Sequence, residues 1–133
     1  MKYSKATNYA LHIMAHLAVS TPRRKVSVQQ LAEQQGISSS YLSKILTRLV
    51  KAGMIESSPG ANGGYKLTSG WEEISFLDVI HAIEGSASLF DGCLNDNPDC
   101  LIQQVMTSAE EKMEVELKSQ TLASLIQHAK EEC

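Results

Sequence analysis

The stretch VSVQQLAEQQGISSSYLSKILTRLVKAGMI, residues 26–55, constrains the fold more than any other part of the chain. Two segments of helical period meet across a turn. Val28, Leu31 and Ala32 form the inner face of the first, and Leu42, Ile45, Leu46 and Leu49 that of the second. Ser27 with Gln30 three residues on fits a capping box. Gly36 stops the first helix. One of Ser38, Ser39 and Ser40 caps the second, about Ser39 to Ala52, and Gly53 takes the position just past its end. Two helices at roughly a right angle across a turn of about 3–4 residues are the arrangement that lays one helix in the major groove of DNA. Leu31, Ala32, Ile37, Leu42, Ile45 and Leu49 lock such a pair together. The opposite face of the second helix is then free. It offers Ser38, Ser39, Ser40, Tyr41, Ser43, Lys44, Thr47, Arg48 and Lys51. Hydroxyls and free N–H groups at a helix start suit phosphate oxygens. Lys44 and Arg48, four apart, suit phosphates or guanine edges.

The period changes after Gly53. Met54 and Ile55 begin a strand, SSPGANGG supplies turn formers, and Tyr65 to Thr68 return. A short hairpin here is a wing. Gly60, Asn62, Gly63 and Gly64 at its tip allow close backbone approach to a groove, and Lys66 is the nearest cation. The glycine run lies between two strands, so it is not a dinucleotide fingerprint, which opens a helix.

Around this module the chain is mostly helical. Residues 3–19 carry Ala6, Ala10, Ile13, Met14, Leu17 and Ala18 at helical spacing, and STPRRK ends that helix. Trp71 to Ile74 bridge onward, with Trp71 expected between wing and helix. Ser75 caps a helix with Asp78 at the box position, and Gly85 ends it. Residues 86–99 form a loop. Residues 101–118 read as a long amphipathic helix with Ile102, Val105, Met106, Ala109, Met113 and Leu117 in one stripe, and Thr121 caps a short last helix. That stripe needs a surface to bury it. A second subunit is the preferred one, and the first helix is the alternative. The expected architecture is mainly α, a winged helix-turn-helix with a long C-terminal dimerisation helix. Its parts are a DNA-binding unit over 1–85, a sensor-like loop over 86–100, and a dimerisation helix with a short terminal helix over 101–133.

The formal charge of the whole chain is −3, which hides two halves of opposite sign. Residues 1–70 hold nine Lys or Arg and two Glu, a net +7, and residues 71–133 hold three Lys and thirteen Asp or Glu, a net −10. The basic half suits phosphate. A protein–protein adaptor that kept the fold is the alternative, although it needs neither this charge nor a hydroxyl-rich second helix. No apolar run is long enough for a membrane span, and His12 and His16 interrupt the N-terminal one, so no signal peptide is read there. The expected compartment is cytoplasmic. His12 and His16 have a metal-binding spacing, but two ligands are too few. No histidine accompanies a nucleophile motif, and Glu110-Glu111 and Glu131-Glu132 read as solvated faces, so no enzyme is expected.

Over nearly its whole length the chain resembles the Rrf2 family of bacterial transcription regulators. The resemblance rests on Met1 to Ser4, Tyr9-Ala10-Leu11, Gly36-Ile37-Ser38, Tyr41-Leu42, Ile45, Leu49, Lys51-Ala52-Gly53, Gly60, Gly63-Gly64-Tyr65, Leu67, Asp78-Val79-Ile80 and Ile83-Glu84-Gly85. It implies homodimers crossed through the long helix, two winged modules on a palindromic site, and DNA contacts from Ser38, Ser40 and Tyr41. Two positions depart. A wing Arg common in the family is Pro59 here, and a Glu that some members use to discriminate sites is Ser43. The operator preference of those members therefore does not transfer.

The resemblance also frames the three cysteines, Cys93, Cys100 and Cys133. Cluster-binding members place three in the loop and the start of the long helix. Cys93 and Cys100 match two of them. The third should fall near Val105 or Met106, and Met is a poor ligand beside thiolate. Three readings stay open: a thiol sensor at Cys93 and Cys100, a [2Fe–2S] cluster completed by other groups, or cysteines with no sensing role. Asp91, Asp96 and Asp99 nearby oppose thiolate formation. The function expected is a sequence-specific DNA-binding regulator, a repressor with redox or iron–sulfur-linked sensing.

Overall fold

The computed structural model describes residues 3–20, 24–90, 92, 94, 95 and 97–132. Cys93 and Cys133 lie outside the described residues, as do Asp91 and Asp96.

The chain runs α1 (Lys5–Ser20), α2 (Val28–Gln35), α3 (Ser39–Lys51), β1 (Ile55–Ser58), β2 (Gly64–Leu67), a single 3₁₀ turn (Trp71–Glu73), α4 (Phe76–Glu84), α5 (Leu101–Ser119) and α6 (Leu122–Glu132). The boundaries follow local chemistry. Ser27 and Ser75 both close capping boxes, with Gln30 and Asp78 as the reciprocal partners. Ser38 is the one serine of three that caps α3, its Oγ accepting from the Tyr41 N–H at 3.2 Å. Each such cap stabilises its helix by about 1 kcal/mol. Gly36 ends α2 at φ 68° and Gly53 follows α3 at φ 77°, the left-handed conformation that glycine adopts without steric cost.

α1 is the centre of the core. Ala10, Ile13, Met14 and Leu17 are inaccessible to solvent, and they meet Leu31 of α2, Leu42, Leu46 and Leu49 of α3, and Val79 of α4. β1 and β2 pair antiparallel, with Ile55 opposite Leu67 and Glu56 opposite Lys66. Val26 adds one further bridge to the sheet, exchanging both backbone hydrogen bonds with Tyr65 at 2.8 and 2.9 Å. This fastens the tip-side end of β2 to the segment that leads into α2.

The two C-terminal helices differ in their packing. α6 returns to α1 and to the 3₁₀ turn, and Leu122 is 2% exposed within the same core. Thr121 bridges Ser75, and the Leu122 N–H donates to the Ile74 carbonyl at 2.9 Å. The half-buried Trp71 belongs to a turn that packs on α6, whereas the sequence suggested a place between wing and helix. α5 is different in kind. None of its residues is buried, and Leu101, Ile102, Val105 and Val115 are each at least 66% exposed. No helix among the described residues is long and apolar enough to cross a membrane.

Candidate nucleic-acid interface

Burial on α3 is one-sided. Leu42, Ile45, Leu46 and Leu49 are buried, which leaves Ser40, Lys44, Thr47 and Lys51 as the outward stripe, spaced by three and four residues. Ser39 and the half-buried Ser43 flank it on one side, and Tyr41 and Arg48 on the other. Among the described residues neither Lys44 nor Lys51 has an ion pair within 4 Å. Ser38 caps the helix, and its Oγ lies 3.4 Å from that of Ser40. The Thr47 hydroxyl donates to the Ser43 carbonyl at 2.8 Å. Its proton is therefore used within the helix, while the oxygen can still accept and the methyl is free for an apolar contact.

The two flanking residues are tied to other helices. The Tyr41 ring meets the Tyr9 ring of α1 edge to face, with centroids 5.9 Å apart and planes at 84°. The geometry matches the ring quadrupoles, and such a pair contributes about 0.5–1.5 kcal/mol. Arg48, expected beside Lys44 on the free face, is exposed there and also donates from one guanidinium nitrogen, Nη1, to the Ile83 carbonyl of α4 at 2.8 Å. That carbonyl is in the last turn of α4, where no intrahelical donor is available. Position on a helix predicts exposure, but it does not identify a carbonyl 35 residues away.

The next residue, Glu84, named above only within the family pattern, holds a second anchor. Its carboxylate accepts from the Ser4 N–H at 2.7 Å, the Ser4 hydroxyl at 2.9 Å and the Thr7 hydroxyl. These groups form the N-terminus of α1, where negative charge is favoured. The Thr7 bond chiefly holds the Glu84 carboxyl below the ordinary carboxylate range, and the Ser4 N–H adds to it. Slight desolvation of this exposed group opposes the shift, while the Ser4 hydroxyl and the Arg48 charge support it. A signal existed in the sequence. An acidic residue in the last turn of a helix opposes that helix's own dipole, so it is better placed when it serves another element.

The wing tip runs through Pro59, Gly60, Ala61 and Asn62, all exposed, and the Gly63 N–H closes a turn on the Gly60 carbonyl at 3.0 Å. Gly63 and Gly64 are required by the backbone itself. A Cβ at Gly63 would stand 2.1 Å from the Ser58 carbonyl oxygen, and one at Gly64 2.7 Å from that of Val26. Lys66, the cation expected of the wing, lies 3.9 Å from the Glu56 carboxylate across the hairpin. At that exposure the pair adds little stability. It does leave the wing locally neutral.

This framework has known counterparts. The family described as Rrf2, iron-dependent transcriptional regulator, matches residues 3–128. The chain belongs to the Rrf2 family. The protein Rrf2 of Nitratidesulfovibrio vulgaris is 33% identical over 135 residues, covering 97% of this chain and 89% of the relative. The solved structure of CymR (YrzC), the global cysteine regulator of B. subtilis, superposes with a TM-score of 0.82 at 28% identity, covering 96% of this chain and 98% of that one. That of T. potens IscR gives 0.78 at 30% identity, over 97% and 88%. The fold is that of the Rrf2 winged-helix regulators. The chain is a transcriptional regulator of that family, and the relatives are regulators rather than enzymes.

The Rrf2 loop between α4 and α5 was expected to bear a sensor. Cys100 is the N-cap of α5, a half-buried free thiol whose Sγ accepts from the Gln103 N–H at 3.5 Å. Cys93 falls outside the described residues. The described residues do not assemble a cluster site. No group of three or more His, Cys, Asp or Glu among them could hold a metal, and Val105 and Met106 occupy the turn after Cys100. Glu110 anchors the start of the loop, accepting from the Ser88 hydroxyl at 2.7 Å and the Leu89 N–H at 2.9 Å. Those bonds, the Ser88 one foremost, hold its carboxyl below the ordinary range.

Proposed function

We propose that the chain is a cytoplasmic, sequence-specific duplex-DNA-binding repressor that works as a homodimer. The observation that carries this reading is the outward stripe of α3, with two lysines that have no ion pair among the described residues, set among hydroxyls beside a glycine-rich wing. In the major groove, Ser38, Ser39, Ser40 and Ser43 bond phosphate or base edges and Tyr41 contacts the backbone. Lys44 and Lys51 neutralise phosphates or reach guanine, and Thr47 offers its methyl to a thymine and its oxygen to a donor. In the wing, Gly60, Asn62, Gly63 and Gly64 bring bare backbone to the neighbouring groove. Lys66, held by Glu56, contributes less there than its charge alone suggests.

The dimer reading rests on α5. Its exposed apolar residues include Ile102 at 68% and Val105 at 66%, an exposure more readily maintained against a second copy than in water. Sensing rests on the position of Cys100 at the junction of the loop and this helix. Oxidation of Cys93 and Cys100 to a disulfide by peroxide forms the S–S bond and yields two waters. Closing the bond moves the start of α5, and with it the spacing of the two modules. The family description as iron-dependent supports an iron-linked signal as the second reading, of which an iron–sulfur cluster is one form.

Fluorescence anisotropy with duplex DNA across a salt series tests the DNA reading. Affinity should fall by orders of magnitude between about 50 and 200 mM salt. Binding that is absent, or indifferent to salt and to loss of Lys44, contradicts it. For sensing, the Cys93→Ser, Cys100→Ser double variant should lose its response to peroxide and to iron–sulfur status. An unchanged response refutes the role of these thiols.

A further inference from the structure

We propose that Arg48 and Glu84 are positioning residues that set the pose of α3 on DNA, and that Arg48 is not itself a DNA contact. The inference rests on the DNA-binding reading above.

Three helices meet at these two side chains. Arg48 leaves the flank of α3 and donates to the Ile83 carbonyl, so a cation stands at the negative end of α4. Glu84, one residue on, turns to the positive end of α1 and takes the Ser4 N–H, the Ser4 hydroxyl and the buried Thr7 hydroxyl. Each helix terminus thus receives the charge that its dipole favours, Arg48 of α3 serving α4 and Glu84 of α4 serving α1. The two residues are not an ion pair within 4 Å, so each is held chiefly by backbone or hydroxyl partners.

The anchoring matters because of where it lies. Tyr41 and Arg48 occupy the same flank of α3, two turns apart, and each meets a different helix. Tyr41 fixes the N-terminal end against α1, and Arg48 fixes the C-terminal half against α4. A helix held at one point can pivot about it, whereas two points define its direction. Base-edge hydrogen bonds tolerate little displacement, while phosphate attraction tolerates much. Loss of this anchoring should therefore reduce discrimination between sequences more than it reduces general attraction to DNA. Gly85 follows directly, and the loop beyond it is held by Glu110 of α5. The anchor is thus the last part of the module before the loop assigned to sensing.

The test uses two duplexes: one selected by the full-length chain from a random-sequence pool, and one of random sequence. Arg48→Met keeps the length of the stem and removes the donors. Glu84→Gln removes the charge and part of the acceptor capacity. Lys44→Ala serves as the contact comparison, and far-ultraviolet circular dichroism at the assay temperature confirms the fold of each variant. For Arg48→Met the expected result is an affinity loss of about tenfold on the selected duplex. Random-duplex affinity and the slope of log K against log salt should stay within error of the parent. Glu84→Gln should weaken the selected complex as well, although it removes a negative charge from a DNA-binding protein.

A slope reduced by about 0.9 in Arg48→Met, with both duplexes weakened alike, identifies a phosphate contact and overturns the proposal. Tighter or unchanged binding of the selected duplex by Glu84→Gln overturns the role of Glu84. If Arg48→Met does not fold, Glu84→Gln alone still decides by the sign of its effect. A parent chain that binds neither duplex refutes the DNA reading itself and removes the proposal with it, an outcome distinct from altered variants of a binding parent.

Discussion

α3 and α5 have similar sequence patterns and opposite fates. Both are amphipathic helices with an apolar stripe at three- and four-residue spacing. The stripe of α3 is finished within the chain, with Leu42, Leu46 and Leu49 inaccessible to solvent. None of the residues of α5 is buried, and Val105 of its stripe is 66% exposed. Periodicity states that a face wants burial, but it does not state by what. For α3 the answer is α1, α2 and α4. For α5 the chain supplies only partial cover, chiefly from α4, and the remainder is assigned here to a second copy.

Equivalent truncations in the two helices should therefore report different quantities. Leu46→Ala should lower the unfolding free energy by about 2–5 kcal/mol, read by denaturant titration at any protein concentration. Val105→Ala should leave the unimolecular stability nearly unchanged, and it should shift the midpoint of association in analytical ultracentrifugation instead. A loss of stability at Val105 like that at Leu46, without concentration dependence, would show that α5 is covered within its own chain. Ile102→Glu with Val105→Glu should weaken self-association by about a hundredfold or more, with the helical signal of the winged module retained.

The free face of α3 gives smaller effects. Lys44→Ala should weaken duplex binding by roughly tenfold and lower the salt slope by about 0.9, as expected for one lost phosphate contact. Ser38→Ala should cost about 1 kcal/mol of stability through the lost cap. Ser39→Ala should cost almost none, because its hydroxyl does not cap the helix. Acid titration should give the smallest change. The Glu84 carboxyl titrates lower in the fold than in the unfolded chain. Its stabilising contribution is present above the ordinary value of about 4.3 and is lost as pH falls through the folded value. The parent should therefore lose more stability on acidification below that point than Glu84→Gln does. Parallel acid curves contradict the hydrogen bonds to Ser4 and Thr7.

Much of the fold was legible because local chemistry determined it. The pairs Ser27–Gln30 and Ser75–Asp78 declared two helix starts, and both capping boxes are present. Leu31, Leu42, Ile45, Leu46 and Leu49, read from spacing alone, are all at most 2% exposed. The hairpin followed from its glycines, two of which face backbone where a Cβ would collide. What stayed hidden was partnership across long separations. The sequence could not say that Arg48 turns to the Ile83 carbonyl, that Tyr9 braces Tyr41, or that α6 folds back to bury Leu122. Each depends on which helix lies alongside, and that is settled by the packing of the whole core rather than by any local signal. Lys66 is the same lesson at short range, a wing cation until the register sets Glu56 opposite.

Selection of duplexes from a random-sequence pool by the full-length chain, followed by sedimentation of the complex, decides whether a dimer reads DNA through α3. A dimer presenting two copies of α3 predicts an enriched inverted repeat, with half-site centres about 10 base pairs or a multiple apart. It also predicts two chains per selected duplex. Enrichment of no sequence, or a single chain on an asymmetric site, would contradict it.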